Sequence, residues 1–182
     1  LGALSFSPLS EYIEPSEDEI SLDILGLNAQ AVFDGQTEDV LNELINAGSS
    51  GGARPKAQIY FKDNDYTQCH TKPITNAEAW LVKFTSANLA LRHEEGVCEA
   101  AYLTLAQRAG LNPPEWKLLN APQRSGAKKW LALKRFDYIN NPNGVSGRRH
   151  LHSACGLLDA DFRTPSLDYE DLIKATKILC KS

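Results

Sequence analysis

Four short runs with apolar alternation, KAQIYFK, EAWLVKF, EWKLLNA and KKWLALKRF, stand with one strong helical pattern among them. That order constrains the fold more than any other feature. Regular alternation of strand and helix would give a parallel sheet, whereas runs of strands give α+β architecture. The expected fold is therefore α+β on an antiparallel sheet. With 182 residues, 42% of them hydrophobic, the chain is long enough to bury a real core.

Helical spacing surrounds these strands. SLDILGLNAQAVFDG places Leu22, Leu25, Ala29 and Val32 on one side, and Asp34-Gly35 stops it. TEDVLNELINAG predicts a second short helix with Thr37 as N-cap and Gly48 at its end. The strongest helix is expected over about residues 94–109, closed by Gly110, with Cys98, Ala101, Tyr102 and Leu105 as its buried stripe. DYINNPNGVSGRR reads as a polar loop. A last helix follows, capped by Ser166 or Asp168.

Several function classes lose support at once. The net charge is −4, so no overall positive field attracts nucleic acid, and binding through Arg148, Arg149 and the lysines is disfavoured. No apolar run approaches the ~20 residues of a membrane span. No basic-then-apolar leader is present, which predicts a cytoplasmic protein with free thiols. None of the four cysteines forms a C-x-x-C pair. His150, His152 and Cys155 in HLHSAC lack a fourth ligand nearby, so no metal site is assigned.

Lys83 is the first candidate for chemistry. In AWLVKF the side chains alternate, so Ala79, Leu81 and Lys83 share one face. A lysine inside an apolar strand must reach water, a carboxylate or a phosphate. Glu99 lies in the following helix among small and apolar residues, where it could meet Lys83. A strand lysine followed by a helix glutamate is the order found in protein kinases, where that ion pair positions nucleotide phosphates.

The second candidate is NAGSSGGARPKA. It fails the G-x-x-x-x-G-K-[ST] pattern, because Ala57 follows Lys56, and it is not G-x-G-x-x-G. It also follows a helix, so no helix N-terminus faces an anion there. Phosphate would be held by backbone N–H groups in a nest that glycines permit. Ser49, Ser50, Arg54 and Lys56 would add to it. The competing reading is a flexible connector, against which stand Pro55 and the two cations. A third element, KKWLALKRFD, is a strand ending in a polar bend. It is either an ordinary hairpin strand or a crossing whose backbone pairs with an adenine edge.

The segments GALSFSP, GSSGGARPKA, AWLVKF, EAAYLTLAQRAGL, LALKRFD and RRHLHSACGLLDADFRTPSLDYEDL together resemble the HipA family of bacterial serine/threonine kinases, toxins of toxin–antitoxin modules. They span nearly the whole chain in order. The resemblance implies a protein-kinase-like N-terminal lobe over residues 1–136, and the start of a helical C-terminal lobe over 137–182. It implies an ATP site, with Mg2+, between the lobes. SSGGARPK matches the phosphate-proximal loop (Ser49, Ser50, Gly51, Gly52, Ala53, Arg54, Lys56), with Ser49 as an autophosphorylation site. Lys83 matches the phosphate-contacting lysine and Glu99 its partner. Lys134 to Phe136 match the hinge that holds adenine by its backbone.

In that family the catalytic aspartate and metal ligands come later, so none is assigned within this chain, and they are expected beyond Ser182. The family's small N-terminal subdomain should precede GALSFSP. The absence of methionine, and an end inside the helical pattern DYEDLIKATKILCKS, are likewise expected of part of a longer protein. The whole parent would transfer the ATP γ-phosphate to a protein hydroxyl and pair with a HipB-like antitoxin, while the chain alone would be inactive. The alternative is a non-catalytic nucleotide- or protein-binding module that keeps the same fold.

Overall fold

The computed structural model describes residues 19–41, 44, 47, 54–141, 144–161, 164 and 166–180. Ser49, Ser50, Gly51, Gly52 and Ala53 of the glycine-rich stretch lie outside the described residues, as do LGALSFSP and much of TEDVLNELINAG.

Four strands form the central sheet: β2 (Lys56–Lys62), β4 (Ala77–Lys83), β5 (Trp116–Asn120) and β6 (Lys129–Lys134). Their order is β2-β4-β6-β5 and every pairing is antiparallel. This is the α+β, antiparallel arrangement that the run of strands predicts. Within TQCHTKP lies the short strand β3 (Gln68–Cys69), which pairs with β1 (Ile20–Ser21) in a separate two-stranded sheet.

The two faces of the central sheet carry different helices. α1 (Leu22–Phe33) buries Leu22, Leu25, Gly26 and Ala29. They pack with Ala57, Ile59, Phe61, Trp80, Val82, Phe84, Trp130 and Ala132, the inward set of alternate strand positions. Gly26 is what lets the helix come so near: a Cβ there would stand 2.7 Å from Phe84 Cε1 and would collide with the Trp130 ring. Phe84 and Trp130 meet edge-to-face at 4.9 Å between centroids.

The opposite face receives α2 (Glu95–Arg108). Its buried residues are Glu95, Gly96 and Ala100, and a Cβ on Gly96 would lie 3.3 Å from Leu131 Cβ. The expected stripe is thereby corrected. Tyr102 is 69% and Leu105 58% exposed, and Ala101 is exposed as well. Small residues, not the large apolar ones, face the sheet, because the backbone of α2 comes close to β6.

DYINNPNGVSGRR is not a plain loop. Its two ends pair as β7 (Tyr138–Asn141) and β8 (Gly144–Arg148), with an irregularity at Ile139/Asn140. Two more helices follow, α3 (Ala154–Leu157) and α4 (Tyr169–Leu179). Asp168 is the cap of α4, accepting from the Asp171 N–H at 2.9 Å. That makes four helices among the described residues. None of those helices is long and apolar enough to cross a membrane.

Candidate functional site

Strand register brings the basic residues together. Lys83 ends β4 directly opposite Lys56, the first residue of β2, and opposite Leu131 of β6. Opposed residues on one sheet face lie about 4.5–5.5 Å apart at Cβ, so two lysines there repel. Helix α2 lies over this same row, and Glu99 follows Gly96 by one turn on its inward side. Lys83 Nζ donates to Glu99 Oε1 at 2.5 Å. Both side chains keep about a quarter to a third of their surface, 26% and 31%. The pair is sheltered but reachable.

Lys56 feels this crowding. Burial holds its ammonium below the ordinary lysine value, and the neighbouring charges of Lys83 and Arg54 add to that, against a smaller opposing pull from Glu99. Arg54 is exposed, one residue before buried Pro55. The Pro55 carbonyl accepts from the Phe84 N–H at 2.9 Å. This bond fixes the exit of the glycine-rich stretch beside the end of β4. Lys56 and Lys83 thus lie beside Glu99, with Arg54 near Lys56, an arrangement suited to a multiply charged anion.

The end of β6 divides its side chains between the two faces. Lys134 is opposite Trp80, on the α1 face and away from Lys83. Its ammonium pairs with Glu78 and, at 3.2 Å, with Glu115, and lies 5.9 Å from the Trp80 ring centroid. Burial works against that charge, but the two carboxylates hold its pKa above the ordinary value. Its backbone N–H is taken as well, donating to the Glu115 carbonyl at 2.8 Å. Phe136 is 62% exposed.

Arg135, between them, points to the Lys83 face, and the sequence reading passed over it. Its Nε and Nη2 donate to the two carboxylate oxygens of Asp137 at 2.6 and 2.5 Å, and its Nη1 donates to Gln58 Oε1. Asp137 is fully buried. Burial alone would raise its pKa, yet the Arg135 guanidinium holds it below the usual carboxylate value. Tyr138 stacks beside that guanidinium, 5.3 Å from ring centroid to Cζ, and its hydroxyl meets Tyr60 Oη at 2.6 Å. Burial and this hydrogen bond push the Tyr60 hydroxyl pKa upward.

Lys56, Gln58 and Tyr60 alternate along β2, so the whole polar row runs down one face. That period-two spacing was legible in KAQIYFK. Among the described residues no group of three or more His, Cys, Asp or Glu gathers as metal ligands would.

The family model described as HipA-like C-terminal domain matches residues 48–182. The chain belongs to this family. The matched stretch of the HipA-like chain takes in Arg54, Lys56, Lys83, Glu99 and the 134–138 segment, together with the glycine-rich residues from 48 onward. A comparison with curated proteins finds no match for it.

Proposed function

We propose that the HipA-like chain is the nucleotide-binding part of a serine/threonine protein kinase, and that its sheet with α1 and α2 corresponds to a protein-kinase-like N-terminal lobe. The observation that carries this reading is the Lys83–Glu99 ion pair, joining a strand to the helix that covers it, with Lys56 directly across the sheet. Such a pair holds a lysine in place for phosphate oxygens.

On this reading the triphosphate lies against Arg54, Lys56 and Lys83, with the glycine-rich residues 49–53 supplying backbone N–H groups. The base lies toward the backbone of 134–136. The reaction is transfer of the ATP γ-phosphate to a protein hydroxyl. Charge stabilisation and positioning carry most of the catalysis in such transfers. Mg2+ would accompany the nucleotide, but no residue cluster described here fits it, so no step is assigned to the metal. Ser49 is the proposed autophosphorylation site. A phosphoserine there would add about −1.5 to −2 charges beside the same cations and compete with the triphosphate. A HipB-like antitoxin is the proposed partner.

Thermal unfolding with and without Mg-ATP tests the reading. A ligand that binds only the folded chain stabilises it by about 2.7 kcal/mol at a hundredfold excess over Kd. A rise in Tm with Mg-ATP is expected. An unchanged Tm at millimolar nucleotide would contradict it.

A further inference from the structure

Segment 135–138 is fastened to the sheet by the backbone and guanidinium of Arg135 and by the Tyr138 hydroxyl, which meets Tyr60 of β2. The Arg135 N–H donates to the Ala79 carbonyl of β4 at 2.8 Å, which anchors its backbone. Its guanidinium then reaches in two directions. One edge takes both oxygens of Asp137, two residues on, and the remaining nitrogen takes Gln58 of β2. The planar fork of arginine suits this two-sided grip, which a lysine ammonium cannot copy. Asp137 is in turn held at its carbonyl by the Arg149 N–H at 2.7 Å, so the grip also ties in the end of β8. Asp137 is completely buried and faces the guanidinium.

We propose that Arg135 is a positioning residue: by clamping Asp137 to Gln58, it fixes the backbone of 135–137 in the shape that receives the base of a bound nucleotide, without touching the nucleotide itself. This rests on the nucleotide-binding reading above. It assigns two separable jobs to one sheet face. Lys56 and Lys83 hold phosphate, and the Arg135 clamp shapes the place for the base.

The separation gives the test. Calorimetry would compare adenosine with inorganic tripolyphosphate on the full chain, for the parent, Arg135→Lys and Lys83→Met. Amide hydrogen exchange at 135–138 would be followed without ligand. Arg135→Lys should weaken adenosine about tenfold, the equivalent of one charge-assisted hydrogen bond. It should leave tripolyphosphate within about twofold and speed exchange at Phe136 and Asp137. Lys83→Met should do the reverse, weakening tripolyphosphate and leaving exchange at 135–138 unchanged. Should Arg135→Lys not fold, Gln58→Ala removes the second grip while keeping the buried charge pair, and the same pattern is expected at smaller amplitude.

Equal weakening of adenosine and tripolyphosphate would reduce Arg135 to a general structural role and overturn the proposal. So would unchanged exchange at 135–138. A parent that binds tripolyphosphate but not adenosine overturns the clamp's role and leaves phosphate binding standing. A parent that binds neither overturns the nucleotide reading and this inference together.

Discussion

Lys56 and Lys83 face each other across two strands, where like charges oppose folding. Such a placement is expected where an anion is to be bound. Its consequence is a proton linkage. Lys56 titrates below its ordinary value of 10.5 in the folded chain. A bound triphosphate would favour the ammonium and raise that pKa again. Nucleotide binding at alkaline pH should therefore take up protons, measurable as a buffer-dependent binding enthalpy, and Lys56→Met should abolish most of the uptake. Asp137 gives the opposite sign. Its folded pKa lies below the ordinary 3.8, so its contribution to stability is present above 3.8 and is lost as pH falls through the folded value. Asp137→Asn should cost about 3 kcal/mol at neutral pH, because it leaves Arg135 without its buried partner. Denaturant titrations should then show a smaller further loss below pH 3.8 in the variant than in the parent. The face of Lys83 was legible from strand alternation, whereas the expected stripe of α2 did not turn Glu99 toward it. The Arg135 clamp was not legible, since Gln58 is brought to it only by the pairing of β2 with β4 and β4 with β6.

At the level of elements, close backbone approach explains both what was predicted and what was missed. α1 follows its apolar spacing, with Leu22, Leu25 and Ala29 buried as expected and Gly26 nested against Trp130 and Phe84. Gly26→Ala should destabilise the fold by about 1–3 kcal/mol through overpacking, read as a lower Tm with unchanged helical content. α2 was placed on the wrong face because its large side chains look like a core stripe. In the structure Gly96 and Ala100 are buried instead, and this turns Glu99 toward Lys83. Had Tyr102 and Leu105 faced the sheet, the rotation would have carried Glu99 away. The β7–β8 hairpin was read as a loop because NNPNG is dominated by turn formers, and the short pairing strands around it carry little apolar alternation.

Across the whole molecule, a central antiparallel sheet separates two unlike surfaces. The α1 side is an aromatic and aliphatic core, and the α2 side holds cations, Glu95, Glu99 and the Arg135 clamp. The run of strands in the sequence made the α+β class legible. The segments from the glycine-rich stretch to the last helix made the HipA-like family legible, and the family match over 48–182 bears that out. What stayed hidden was which helix takes which face, because that depends on small residues whose helical spacing carries little apolar signal. The central claim is that the Lys83–Glu99 pair on the α2 side holds nucleotide phosphates. Calorimetric titration of Mg-ATP into the parent, Lys83→Met and Glu99→Gln tests it most directly. The account predicts that both variants fold with a stability loss of about 1 kcal/mol or less, as for a partly exposed pair, and bind Mg-ATP at least about tenfold more weakly. Parent-like affinity in both variants would contradict it.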